Sequence, residues 1–376
     1  MRVVVVGAGL GGLAVANGLR RKGLDVVVLE ARPRLDDTEQ GYRININATG
    51  HAALHACLPT VRLADYHRIL HRQRDPAVYL FDPDLRLLSR NELPSVPGAV
   101  DRGALRRVLA EGVADRITFG REVTSLSETG PADLVVAADG VGSALRRELL
   151  PHNGPEPLGW TAIFGRSPLD CTGEQGLPAA SRAEPTVTHG GRLAEVIRHS
   201  RFCGVVDHST VLALCAYNPP SPPARGPYLM WVLMAPTEEL PLPGAGPADL
   251  LRFALRRTAN WGRHATSALR AAIVTDTFRT PLRAMPTIPD LPPSNGIPVA
   301  FLGDAIHAMS PAGGEGANTA LADAALLVSH LDRTTDLASA VAAYHRDMRV
   351  TAGAALDRSA GFAVRAQHIA TEVSHV

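Results

Sequence analysis

The residues that most plainly could do chemistry come first in the chain. Gly7, Gly9 and Gly12 stand at G-x-G-x-x-G spacing in Gly7-Ala8-Gly9-Leu10-Gly11-Gly12, and Glu30 follows about 20 residues later. In that pattern the first glycine makes a tight turn, the second lets a pyrophosphate approach the backbone, and the third packs a helix on a strand. The N–H groups around Leu10 and Gly11 open that helix, where the dipole and unpaired donors attract negative charge. A carboxylate at Glu30, with Ala31 beside it, would accept both adenosine ribose hydroxyls and repel a 2′-phosphate, as in a dinucleotide of the FAD or NAD type. The alternative is a βαβ unit whose glycines serve packing alone. Two further groups lie far downstream: Asp139-Gly140 with Ser143 and Arg146, and Gly303-Asp304 running through Pro311, Gly314, Gly316, Ala317 and Asn318.

Each group sits where elements could hold it. Met1 to Val6 reads as a buried strand and Val26 to Leu29 as a second, each an apolar β-branched run bounded by turn signals. Tyr42 to Asn47 alternates, with Arg43, Asn45 and Asn47 on one face; this is either a solvated sheet face or a cation, Arg43, aimed at cofactor or substrate. Val78 to Leu88 reads as a hairpin. A helix begins at Asp101, which puts Arg102 in a first turn where a cation needs an anionic partner. Short strands are expected at Ile117 to Phe119 and Val123 to Leu126, and a buried one at Ala132 to Ala138 ends in the Asp139 turn. Residues 155–275 change texture: proline clusters appear, and Val211 to Tyr217 and Tyr228 to Met234 alternate as antiparallel strands with one side on a pocket. A buried strand at Val299 to Leu302 then enters the Gly303 loop and a helix from Thr319 to Leu331. Residues 337–370 read as helix broken lightly at Gly353 and Gly361.

The bulk numbers set bounds. The chain has 376 residues, 45% hydrophobic, with a net charge of +1, which is ordinary for a globular protein of two domains or one with a large insertion. That balance gives no reason to expect nucleic acid or an acidic membrane as partner. Cys57, Cys171, Cys203 and Cys215 lack C-x-x-C or metal spacing and suit reduced thiols, and the gaps among His189, His199 and His208 match no zinc pattern, so no metal is expected. Glycines interrupt the apolar start and no small-residue cleavage site follows, so a cytoplasmic protein is expected.

Three separated motifs in order now resemble one family. The glycine-rich start with Glu30, the DG motif (Asp139, Gly140, Ser143, Arg146) and the GD motif (Gly303, Asp304, Pro311, Gly314, Gly316, Asn318, Asp323) resemble single-component flavin-dependent monooxygenases of the p-hydroxybenzoate hydroxylase type, which include tetracycline-inactivating enzymes. The resemblance implies a Rossmann-like FAD/NAD(P)-binding α/β domain (1–75, 98–155 and 276–376), with an inserted antiparallel-sheet substrate domain (76–97 and 156–275) and C-terminal helices. It implies that Glu30 holds the adenosine ribose, Asp304 the ribityl and pyrophosphate region, and Arg102 the phosphates or ribityl chain of FAD. The loop from Pro311 to Gly316 would present N–H groups to the flavin N1 and C2 carbonyl. Arg43, Pro311 and Gly314 would stand nearest the reaction. Asp139 either serves FAD and NAD(P)H or holds its own turn together, and His307 and Met309 are read as structural.

The same resemblance implies reduction of FAD by NADH or NADPH, addition of O2 at the flavin C4a, and transfer of one oxygen atom to a small-molecule substrate. The pocket is expected on the sheet carrying Tyr217, Met230, Trp231 and Met234, apolar and adaptable, suited to a bulky aromatic, polyketide or terpenoid-like compound. Rival readings are a flavin reductase of the geranylgeranyl type and a non-catalytic FAD-binding protein; the halogenase W-x-W-x-I-P stretch is not found. No thioredoxin-like or separate nicotinamide-binding domain is expected, and the assembly would be a monomer or homodimer.

Overall fold

The computed structural model describes residues 1–35, 41–75, 77–92, 96–172, 190–207, 209–221, 226–241, 243–291, 296–331 and 336–372. His189 and His208 lie outside these, as do residues 36–40 of the loop after Glu30. In chain order the strands are β1 (Arg2–Val6), β2 (Asp25–Glu30), β3 (Arg43–Ile46), β4 (Ala77–Phe81), β5 (Leu87–Glu92), β6 (Gly98–Asp101), β7 (Ile117–Phe119), β8 (Leu134–Ala137), β9 (Glu156–Pro168), β10 (Phe202–Asp207), β11 (Thr210–Tyr217), β12 (Tyr228–Pro236), β13 (Phe278–Ala284) and β14 (Val299–Phe301).

A first sheet has the order β14-β8-β1-β2-β7, parallel throughout. Its inner strands β1, β2 and β8 read as valine-rich runs because both faces are covered along most of their length. Val3 to Val6, Leu134 to Ala137, Leu13, Leu105, Leu321 and Tyr344 share one core. The turns after β1, β8 and β14, at Gly7, Asp139 and Gly303, therefore emerge side by side at the carboxyl edge, the rim on which open α/β sheets bind ligands.

The second sheet runs β13-β9-β12-β11-β10-β4-β5. Its two faces enter different cores. Trp231, Leu214, Leu229 and Leu233 face the helices Gly190–His199, Pro247–Arg257 and Ser267–Arg270. Tyr217, Cys215, Tyr228, Met230 and Val232 face the other way, where Tyr42 packs from beside the first sheet. The small pair β3–β6 lies between the sheets, with Arg43 opposite Asp101.

Several sequence expectations are corrected. The second sheet is mixed, since β10 and β4 pair in parallel. β13, assigned above to the cofactor-binding part, pairs with β9, and its register slips between Pro281 and Arg283, where proline offers no N–H to the ladder. Residues 123–126 form no strand, and the helix Thr60–Ile69 was not anticipated. The last helix, Leu337–Glu372, runs unbroken past Gly353 and Gly361: a glycine costs a helix only about 1 kcal/mol against alanine, which burial of Tyr344, Met348 and Ala352 outweighs.

Candidate active site

The glycine turn is closed on its inner side and open on its outer side. Gly7 has φ +105°, and a Cβ there would lie 2.3 Å from the Ala138 carbonyl oxygen; one at Gly12 would lie 2.1 Å from the Gly7 carbonyl oxygen. A Cβ at Gly9 would meet nothing within 4 Å. Gly9 is also the N-cap of the helix Leu10–Arg21, whose first turn has no acidic residue, so the opening amides face an unobstructed approach.

Glu30, at the tip of β2, is spent more fully on the protein than the sequence suggested. Its Oε2 accepts from the Ala8 N–H at 2.9 Å and from Arg106 at 3.0 Å, and its Oε1 accepts from the Arg32 N–H at 3.0 Å. A carboxylate has about four acceptor sites, so one is left. In this geometry Glu30 keeps one acceptor site clear of the protein, and the Arg106 guanidinium beside it offsets its negative charge. Arg106 also donates to the Ala8 carbonyl at 2.6 Å, fixing the glycine turn from behind. Sequence reasoning missed it; its i,i+4 relation to Arg102 on the helix Arg102–Glu111 was the available signal.

Arg102 lies within electrostatic reach of an anionic side chain. Burial pushes its pKa down, and the Asp304 carboxylate acts against that shift. Asp304 is exposed although its neighbours Gly303 and Ala305 are buried, as expected of a side chain on the wall of a ligand site. The start of the helix Gly316–His330 lies beside it, a Cβ at Gly316 falling 3.8 Å from Asp304 Oδ1. Pro311 and Gly314 are exposed on the preceding loop, and Gly314 has φ +65° with open space at its Cβ position. Asn318 acts as a clasp. Its amide accepts from the Asn47 N–H at 2.9 Å and donates to the carbonyls of Asn45 at 2.9 Å and Gly314 at 3.1 Å, so its side chain aligns β3 with the loop.

For Asp139 one half of the sequence reading is visible: Oδ2 accepts from the Ala144 N–H at 2.8 Å and holds the turn. Its Oδ1 is buried without a partner. Arg146 donates to the carbonyls of Ala305 and Val141 at 2.7 and 2.8 Å, tying the second motif to the third. Arg43 is buried, with its backbone N–H on the Met230 sulfur at 3.4 Å and its Nε unpartnered.

The structure brings Tyr217 and Met230 to the sheet face that looks toward this rim but not Trp231, which is wholly buried in the opposite core against Gly165. The reason is the two-residue period of a strand, by which Met230 and Trp231 cannot share a face. Tyr217 gives its hydroxyl to the Ile69 carbonyl at 2.8 Å and so anchors the seam. Among the described residues no group of three or more metal-ligating side chains is assembled, and no helix is long and apolar enough to cross a membrane.

The open Gly9 face, the spare acceptor on Glu30, the unpartnered Asp139 Oδ1 and the exposed Asp304 all fit one elongated group with a diphosphate and several hydroxyls. Fold and rim together define a dinucleotide-binding domain with a second sheet beside it.

Comparison with known proteins sharpens this. A family model for an NAD(P)-binding Rossmann-like domain matches residues 5–56, and one for an FAD binding domain matches residues 294–359. The chain is 28% identical over 383 residues to the dual O-methyltransferase/FAD-dependent monooxygenase elcB of Phaeosphaeria nodorum, covering 86% of this chain and 39% of that protein. It is 27% identical to the FAD-dependent monooxygenase vrtH of Penicillium aethiopicum, covering 91% of this chain and 87% of that one. A Photorhabdus luminescens structure assigned as an FAD-containing monooxygenase superposes with TM-score 0.77 at 25% identity over 99% of each chain. Over most of its length the chain is thus similar to FAD-dependent monooxygenases. It spans less than half the length of the first curated relatives it matches.

Proposed function

We propose that the chain is a single-component FAD-dependent monooxygenase that uses NADH or NADPH and O2 to oxygenate a bulky aromatic, polyketide or terpenoid-like small molecule of secondary metabolism. The observation that carries this reading is the convergence of the Gly9, Glu30 and Asp304 groups, drawn from three distant stretches, on one rim beneath an apolar sheet face. FAD, when bound, supplies the redox chemistry and the activation of O2. The protein's share is to bind, orient and shield. The amides after Gly9 hold the pyrophosphate, and Arg102 with Asp304 holds the chain between phosphate and ring. The N-terminus of the helix Gly316–His330, with the Pro311 to Gly314 loop before it, favours negative charge on the ring. The face of Met230, Val232 and Cys215 excludes water from the reacting atoms. Nothing in this scheme needs a protein nucleophile. A cytoplasmic monomer or homodimer completes the reading.

The test is to purify the chain, record its visible spectrum, and follow NAD(P)H and oxygen consumption with a panel of phenolic and polyketide compounds. A yellow protein with substrate-stimulated consumption of both supports the proposal. NAD(P)H oxidation coupled to substrate without oxygen uptake would instead indicate a reductase, and a colourless protein that cannot take up FAD would end it. The substrate face makes a sharper prediction. Met230→Ala is expected to change substrate KM about tenfold, the scale of a few methylenes in an apolar pocket, while Trp231→Phe, on the opposite face, leaves it within about twofold. Equal effects on steady-state KM would show that the pocket lies elsewhere.

A further inference from the structure

We infer that Tyr228 is a positioning residue for the cofactor: through Asp101 it lets the substrate sheet set the orientation of Arg102. The inference rests on the FAD reading above but turns on Tyr228 and Asp101, which no part of that reading uses. Tyr228 opens β12 and is buried, and its hydroxyl donates to Asp101 Oδ2 at 2.7 Å. The other oxygen of Asp101 accepts from the Ala104 N–H at 2.8 Å as the N-cap of the helix Arg102–Glu111. One carboxylate thus joins the two, and the residue after it is Arg102. The Arg102 N–H is held as well, donating to the Tyr42 carbonyl at 2.6 Å.

Tyr42 belongs to the same assembly. Its ring meets that of Tyr228 edge-on, with centroids 6.3 Å apart, and the Arg166 guanidinium lies 4.4 Å from the Tyr42 ring centroid and 5.2 Å from that of Tyr228. Arg166, on β9, is itself fixed by Asp276, at 2.7 Å. Tyr228 and Arg166 on the substrate sheet, with Tyr42 packed against both, therefore hold the two ends of the Asp101–Arg102 junction. Farther along the helix, Arg106 grips Glu30 and the glycine turn. The helix is a short rod with one end keyed to the substrate sheet and its basic face turned to the cofactor cradle, so a shift of β12 displaces Arg102 relative to Asp304. Asp101 is not consumed by capping alone. An N-cap needs one acceptor oxygen, and the second accepts from the Tyr228 hydroxyl.

The experiment follows release of FAD from the full-length holoprotein by the gain in flavin fluorescence on dilution. Tyr228→Phe keeps the ring and removes the link; release is expected to accelerate about tenfold, the scale of one buried hydrogen bond to a charged group. Arg102→Lys should accelerate it similarly, and the double variant should be no more than about twofold faster than Arg102→Lys alone, because Tyr228 acts through that arginine. Tyr66→Phe loses a buried hydroxyl contact elsewhere, to His51, and should leave release within about twofold of the parent. Multiplying effects in the double variant, or equal acceleration in Tyr66→Phe, would overturn the inference. If Tyr228→Phe does not fold, Asp101→Asn keeps the cap while weakening the link; faster release is expected, and release at the parent rate overturns the inference. A parent protein that holds no FAD would overturn the functional reading instead, so the two failures are distinguishable.

Discussion

Gly9→Leu is expected to yield a folded protein that has lost its flavin. A side chain at this position meets nothing of the protein within 4 Å, and the backbone there (φ −75°, ψ −178°) is one any residue adopts. Folding should therefore notice little beyond a poorer N-cap, a melting midpoint within about 4 °C of the parent. Binding should notice a great deal. The space the leucine fills is the approach to the opening amides of the helix Leu10–Arg21, so FAD affinity should fall by about 100-fold or more, which is about 2.7 kcal/mol. Gly12→Ala makes the opposite case: its methyl would lie 2.1 Å from the Gly7 carbonyl oxygen, and the expected outcome is loss of the fold along with the flavin. Thermal melts and FAD titration of both variants check the pair. Tight FAD binding by Gly9→Leu would mean the pyrophosphate sits elsewhere.

What could be read in the sequence was whatever local chemistry repeats. The β1 turn announces itself because valines, glycines and a distant acid occur at intervals that sterics dictate, and the same holds for the Asp139 and Gly303 turns. Tyr217 and Met230 were legible as members of alternating strands. Trp231 was misplaced because residue type was weighed over parity: a large aromatic suggested a pocket, whereas the strand period sends it to the far side of Met230. Partners chosen by tertiary contact were invisible. Arg106 on Glu30 spans 76 residues and the Asn318 clasp on β3 more than 270, and no spacing rule reaches across such distances. For this reason Glu30 looked free for two hydroxyls and Asn318 for the cofactor, while both are largely committed to the chain.

Asp323→Ala is expected to be the most damaging substitution at the third motif, costing about 3–5 kcal/mol in urea unfolding because it leaves a buried partner uncompensated. Asp323 Oδ2 receives the His307 Nε2 at 2.6 Å and the Gly303 N–H at 2.9 Å, with both side chains sealed from solvent. Burial alone would lower the His307 pKa, but the charge and hydrogen bond of Asp323 outweigh it, and the imidazole is held above its usual 6.5. The sign follows from linkage. Protonated His307 is favoured in the folded state, so its contribution is full below pH 6.5 and is lost as pH rises through its folded value. His345 has the opposite sense. Its Nε2 accepts from the Phe301 N–H at 3.2 Å, and burial lowers its pKa to about 4, so the folded protein needs it neutral and stability drains as pH falls from 6.5 toward 4. His71, also lowered to about 4 by burial and by Arg43, adds to that acid limb. Unfolding free energy against pH should thus decline on both sides of neutrality. His307→Asn should flatten the alkaline limb, and His345→Asn should remove part of the acid one. An alkaline limb unchanged in His307→Asn, or a cost below about 1 kcal/mol for Asp323→Ala, would mean that the pair holds no proton of consequence and that Gly303 and Asp304 are positioned by the strand before them rather than by the helix behind.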